Sequence, residues 1–150
     1  MTLTFSIDPD SGYIGIGEFR LRAFQPKAAI EPAIADLVER TRDHGNDYEW
    51  LYLRGLSFGG QPAALSLCFH LGRLEQAGWS VTLPNEADAG GWPSPGAIEA
   101  ELAFVRGILA AETGTRHNWK SPMRFEWGEM WSSYDAKADI ASHGVRYRSA

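Results

Sequence analysis

Apolar residues fall at every second position along several stretches of this chain, and side chains spaced in that way share a face only in an extended strand. Leu3, Phe5 and Ile7 alternate with Thr4 and Ser6, and Ile14, Ile16, Phe19 and Leu21 carry the pattern through Tyr13–Phe24. Between these runs lies Asp8-Pro9-Asp10-Ser11-Gly12. Such a segment turns because proline presets φ, aspartate bonds nearby amides and glycine accepts positive φ. A β-hairpin therefore opens the chain. Tyr48–Phe58 is aromatic and extended and reads as a central strand, and Trp79–Leu83 as a short one. Met123, Phe125 and Trp127 alternate against Arg124 and Glu126, and another extended run, Ile140–Arg148, follows the turn-like Asp135–Asp139. The tail is thus two or three antiparallel strands.

Three stretches switch to helical period. In the first, 31–42, Pro32 suits an opening turn, Ile34, Leu37 and Val38 share a face, and Gly45 follows as a stop. In the second, 62–77, Ser66, His70 and Arg73 fall at i, i+4 and i+7, with Ala64, Leu67, Cys68, Leu71 and Leu74 opposite and Gly78 as terminator. A buried strand is the competing reading there, and helix is preferred. In the third, Ser94 caps, Pro95 sits just inside, Ile98, Leu102, Val105, Ile108 and Leu109 form a stripe, and Gly114 closes. Helices are expected near 31–43, 62–77 and 95–113 against a mainly antiparallel sheet. That is an α+β fold, in a single domain over residues 1–150, a typical domain length. The Gly- and Pro-rich segment 85–96 is too short for a linker and reads as a surface loop.

The net charge of −5 is unevenly spread: −3 over residues 1–60, −4 over 61–112 and +2 over 113–150. An acidic body disfavours nucleic acid, whose phosphates need clustered Lys and Arg, and favours encounter with a basic partner. No apolar run approaches the ~20 residues that cross a bilayer. The first residues lack the basic and long apolar regions of a secretory signal, and Cys68 has no second cysteine to pair with, so a cytoplasmic protein is expected. Gly12, Gly15 and Gly17 precede a strand pattern rather than a helix, so they read as structural and not as a phosphate loop. His44, His70, His117 and His143 show no metal-ligand spacing, and no metal or organic cofactor is expected. An acid/base site built from His117 or His143 with a carboxylate such as Glu129 or Asp135 remains as an alternative.

Six tryptophans are the most unusual feature of the composition. Trp50 and Trp79 lie inside apolar strands and read as core. Trp92, in Gly90-Gly91-Trp92-Pro93, and Trp119 and Trp131 have loop-like surroundings, where an indole either covers a core edge or docks on a partner. Asp43, Asp47 and Glu49 surround the polar turn His44-Gly45-Asn46, and Glu86 and Asp88 flank the glycines that present Trp92. These six residues, Asp43, Asp47, Glu49, Glu86, Asp88 and Trp92, are the candidate contact surface, an aromatic anchor in an acidic rim. Residues 113–150, net positive, are placed away from it.

Trp119-Lys120-Ser121-Pro122, Phe125-Glu126-Trp127-Gly128-Glu129, Tyr134-Asp135 and Val145-Arg146-Tyr147-Arg148 together resemble the end of certain bacterial immunity proteins. Those are small cytoplasmic α+β proteins encoded beside polymorphic or contact-dependent toxins, some of them nucleases. The resemblance covers the C-terminal third of the chain. It implies stoichiometric binding of a cognate protein toxin and no catalysis. A nuclease toxin would be basic, which suits the acidic body above. Two other classes stay open: the small His117 or His143 enzyme, and an assembly module whose Trp-bearing loops bind a sister subunit.

Overall fold

The computed structural model describes residues 2–84, 88–89 and 92–149, and among them ten strands join into one sheet with a long helix laid on its inner face. β1 (Leu3–Ile7), β2 (Ile14–Ile16) and β3 (Phe19–Leu21) form an antiparallel trio. α1 (Lys27–Ile34) and a 3₁₀ turn (Ala35–Leu37) lead into β4 (Val38–Asp43). β5 (Tyr48–Phe58), β6 (Gln61–His70) and β7 (Arg73–Val81) continue as an antiparallel meander. Two-residue strands β8 (Asp88–Ala89) and β9 (Trp92–Pro93) pair with each other ahead of α2 (Pro95–Thr113). β10 (Met123–Phe125), β11 (Gly128–Asp135) and β12 (Ile140–Tyr147) then return to the sheet, with β12 beside β7. The strand order is β10-β11-β12-β7-β6-β5-β1-β2-β3, and β4 also pairs with β5.

β5 makes this order possible because one of its edges serves two partners. β4 pairs antiparallel with Glu49–Leu53, and β1 runs parallel to Leu56 and Ser57. Between the two, Arg54 and Gly55 stand opposite the single residue Ala64, a β-bulge with Gly55 at φ +77°. Leu53 and Leu56 are three apart, which in a regular strand would send them to opposite faces. The extra residue turns both inward, where both are buried.

The inner face carries Leu51, Leu65, Leu67, Phe69, Leu74, Ala77 and Val145, all buried. Phe5 packs against Phe58 at 5.0 Å with the rings tilted by 32° and meets Trp79 edge-on at 5.8 Å. α2 lays Ile98, Val105 and Leu109 against this surface. Burying one such aliphatic side chain stabilises by about 1.5–3 kcal/mol. The limits of α2 are those its sequence specifies: Ser94 Oγ accepts the Ala97 amide at 3.1 Å, Pro95 opens the first turn, and Gly114 closes it at φ +71°. The two ends of the sheet are clasped together. Trp127 Nε1 donates to the Pro9 carbonyl at 2.8 Å, and the Tyr147 hydroxyl donates to the Gly12 carbonyl at 2.6 Å. The Trp127 indole lies on Gly12, where a Cβ would not fit, so that glycine is structural as expected.

The α+β class, the mainly antiparallel sheet, the opening hairpin and the third helix agree with the sequence, but the helix expected at 62–77 is the β6–β7 hairpin. Ser66 and His70 are four apart, and an even spacing also puts two residues on one face of a strand. Arg73 and Leu74 belong to the second strand, across a turn at Leu71–Gly72. Of the helix expected at 31–43, only the start is helical: α1 begins at Lys27, and 38–43 is β4. Ile34, Leu37 and Val38 share a helical spacing by accident, because they belong to three successive elements. There are therefore two α-helices and a 3₁₀ turn among the described residues. Trp79 is core as expected, at 4% exposure, but Trp50 is only half-buried and lies on the opposite face.

Gly144 in β12 lies beneath the Trp131 ring, and a Cβ added there would stand 2.6 Å from the Ala77 carbonyl oxygen. Gly144→Ala is expected to destabilise the fold by about 1–3 kcal/mol, read as a lower urea midpoint at unchanged slope. Gly107→Ala in α2, where an added Cβ meets nothing, should leave the midpoint unchanged or raise it.

Candidate functional site

β4 and β5 are joined by the turn His44–Asp47, and the β6–β7 turn Leu71–Gly72 lies beside it. The two turns are tied: the Leu71 amide donates to the Asp47 carbonyl at 2.9 Å, and the Tyr48 and His70 rings stack at 4.4 Å. Asp43 and Asp47 are both exposed. Asp43 Oδ1 accepts the Gly45 amide at 2.8 Å, which shapes the turn, and Asp47 sits at φ +69°. Among the described residues neither carboxylate has a salt-bridge partner. Glu49 does: it accepts Lys27 Nζ, and that hydrogen bond above all raises the lysine's pKa. Lys27 also lies 3.7 Å from Glu31. The acidic character of this end therefore rests on Asp43 and Asp47.

Glu86 lies outside the described residues, as do the side chains of Asp88 and Trp92. The backbones of Asp88 and Trp92 form the β8–β9 ladder, and Pro93 lines a cavity with Val81, Thr82 and Ile140. Those residues are at the far end of β7 from Leu71. The nine residues of β7 hold the two ends about 26 Å apart at ~3.3 Å per residue. Of the six predicted residues, the described structure thus sets Asp43, Asp47 and Glu49 apart from the backbones of Asp88 and Trp92. It places two short segments at opposite ends of the sheet.

The outer face of the sheet is a second candidate surface. Arg40, Tyr52, Ser66, Gly78, Gly144 and Trp131 stand in register across six strands. Beside them run Arg42, Trp50, Cys68, Gln76, Arg146 and Glu129. The Arg40 guanidinium sits 4.2 Å above the Tyr52 ring, Trp50 stacks on Tyr52 at 6.2 Å, and Trp131 donates to Ser142 Oγ at 3.1 Å. The small residues in the middle of this face leave a groove of about 420 Å³ between Tyr52 and Ile140–Ser142. Arg, Trp and Tyr are the residues that dominate protein interfaces. This face was hidden in the sequence because Trp50 reads as core and Trp131 as loop. Trp119, by contrast, is 8% exposed at φ +62° and covers a core edge.

One buried polar line connects α2 to the sheet. Ser132 Oγ lies 2.9 Å from His143 Nδ1, and His143 Nε2 lies 2.8 Å from Glu101 Oε2. Glu101 also accepts the Val81 amide at 3.2 Å, and Arg106 donates to the Ser132 carbonyl at 2.8 Å. Hydroxyl, imidazole and carboxylate are the parts of a hydrolase triad, and His143 does meet a carboxylate. Two features oppose catalysis here. Ser132 is 0% and His143 1% exposed, so no substrate carbon reaches the hydroxyl. The hydroxyl also lies on Nδ1 and the carboxylate on Nε2, the reverse of the serine-protease arrangement. Glu101 had a sequence signal: it falls three residues after Ile98 and four before Val105, a charge on the buried stripe. His117 is bonded to the Ser121 carbonyl at 2.6 Å, Glu129 faces Arg124 at 3.8 Å, and Asp135 caps the Lys137 and Ala138 amides. Glu129 and Asp135 are six residues apart on one strand, about 20 Å, and share no site. Among the described residues no three potential ligands cluster as a metal would require.

No family model matches the chain, and no curated protein matches it. Among solved structures, a chain of "Rhs1-CT in complex with cognate immunity protein RhsI1" has the same general architecture. The TM-score is 0.52 at 10% identity, over 98% of this chain and 88% of that one.

Glu101→Ala would strand both the His143 imidazole and the Val81 amide, and is expected to cost about 1–3 kcal/mol of stability by chemical denaturation. Cys68 is buried, and that burial first, with Glu75 second, pushes its thiol up to about 11. A raised thiol pKa means less thiolate at pH 8. Cys68 should therefore react with a maleimide more slowly than free cysteine by a factor on the order of 100, with the rate climbing as pH approaches 11.

Proposed function

We propose that this protein is an immunity protein: a cytoplasmic, non-catalytic inhibitor that binds one cognate protein toxin and blocks it. The observation that carries the reading is the fold, shared over nearly the whole chain with a chain of a toxin–immunity complex. The toxin is basic, most simply a nuclease, because the inhibitor carries −5 overall and presents Asp43 and Asp47, without an ion-pair partner among the described residues, on an exposed turn. Carboxylates offered in this way stand in for the phosphates that such a toxin binds, and the field of an acidic body speeds encounter. Asp43 and Asp47 make the principal contact, and Glu86, Asp88 and Trp92 contribute a second one. Glu49, held by Lys27, positions the turn.

The acid/base enzyme is the second reading, and the Glu101–His143–Ser132 line is what favours it. For that line to meet a substrate, α2 would have to swing off the sheet, withdrawing Val105 and Leu109 from the core. As an inhibitor the protein needs no such opening.

Co-expression with the toxin domain encoded by the adjacent reading frame is expected to restore growth and give a one-to-one complex. Asp43→Asn combined with Asp47→Asn should slow association several-fold at low salt and flatten its salt dependence, with dissociation little changed. Growth arrest caused by this chain alone would overturn the inhibitor reading, and turnover abolished by His143→Ala in a folded variant would establish the enzyme.

A further inference from the structure

The β6–β7 hairpin turns on Leu71 and Gly72, at φ +51° and +75°. A two-residue turn with positive φ at both positions selects Asn-Gly or Asp-Gly, whose backbones reach that region easily. Leucine reaches it only under strain. A single exposed leucine is ordinary on a protein surface. Leu71 is not ordinary, because it combines 67% exposure with a backbone conformation that its own side chain disfavours. The fold gains neither burial nor turn propensity from leucine here. Strain of this kind, where the fold does not reward it, points to a function.

The strained residue is also held still. Its amide donates to the Asp47 carbonyl at 2.9 Å, and on the other side the Lys27 amide donates to the Gly72 carbonyl at 2.8 Å. His70, the residue before it, is stacked on Tyr48. The turn is therefore preorganised, and a side chain presented from it loses little freedom on binding. Asp43 and Asp47 stand on the adjoining turn with their charges uncompensated among the described residues. Arg42, the nearest base in sequence, lies in register with Trp50 on the outer face.

We propose that Leu71 is the apolar anchor of the partner contact, seated in an apolar pocket on a basic protein surface, with Asp43 and Asp47 as its acidic rim. This rests on the inhibitor reading above, and the occupant is the toxin. An apolar side chain standing beyond two carboxylates fits a pocket whose edge carries Lys or Arg, and excludes a wholly apolar or an acidic surface.

Leu71→Asn separates this proposal from a structural role because the two move stability and binding in opposite directions. Asparagine accepts positive φ, so the melting temperature of the free protein should hold or rise. The complex with the adjacent-frame toxin domain should dissociate at least ten-fold faster, with association nearly unchanged. Leu71→Met, which keeps an apolar side chain, should retain most of the affinity. Wild-type dissociation kinetics in Leu71→Asn would overturn the anchor, as would a lowered melting temperature, which would show that Leu71 packs within its own fold. A dimer of the free protein that Leu71→Asn dissolves would make the occupant a second copy and overturn the toxin assignment. If the wild-type protein neither binds nor protects, the inhibitor reading and the anchor fall together. If it protects and Leu71→Asn protects with equal kinetics, only the anchor falls.

Discussion

The bulge at Arg54–Gly55 is the constraint on which the rest of the architecture depends. It resets the inward side of β5 halfway along, so that Leu51 and Leu53 before it and Leu56 and Phe58 after it all reach one core. It also marks the point where the edge of β5 passes from β4 to β1. Phe5 can then meet Phe58 and Trp79, and the first hairpin can reach the Trp127 and Tyr147 clasp. Only a residue at ease at positive φ permits this at Gly55. A single backbone position thus couples the long meander to the small N-terminal trio, and the same β5 begins at the paired turns that form the candidate contact.

Wherever one strand face was buried and the other wet, the elements were legible in the sequence. β1 alternates cleanly, the aromatic run of β5 and the extended run of β12 read as strands, and α2 announces both ends through Ser94 and Gly114. Two kinds of element were not. β4 is exposed at every residue but Val38, so it carries no alternation for a periodic reading to find. β6 and β7 are buried on one face and half-covered on the other, and the extra residue Glu75, opposite the step from Cys68 to Phe69, shifts the phase of β7. In β6, Leu67 and Phe69 are buried on the inner face and Cys68 on the outer, so three buried residues stand in succession. A run with that pattern fits a helix as well as a strand, and only pairing with β5 decides.

The candidate site was legible in part for the same reason. The exposed acidic turn follows from its composition alone, since a short polar run cannot be buried with its backbone satisfied. That Glu49 is neutralised by Lys27, twenty-two residues away, is a tertiary fact. So is the distance between the acidic turn and the β8–β9 ladder, because both follow strands and only the direction of β7 shows that they lie at opposite ends. The outer-face row from Arg40 to Trp131 draws on six strands and exists only once the strand order is known.

The clasp between the first turn and the last strand has a consequence for how the protein comes into being. The bond from Tyr147 to Gly12 spans 135 residues, and that from Trp127 to Pro9 spans 118. Closing so long a loop adds little to the equilibrium entropy cost, which grows only with the logarithm of length. In time the separation matters more. At ~5–20 residues per second of synthesis, roughly 6–25 s pass between the emergence of Leu21 and that of Tyr147. Through that interval the β4–β7 meander can form from neighbours in sequence, while the apolar side of the opening hairpin waits for its final cover. The nascent chain is most vulnerable to misassembly at its beginning, and what relieves it arrives at residue 147.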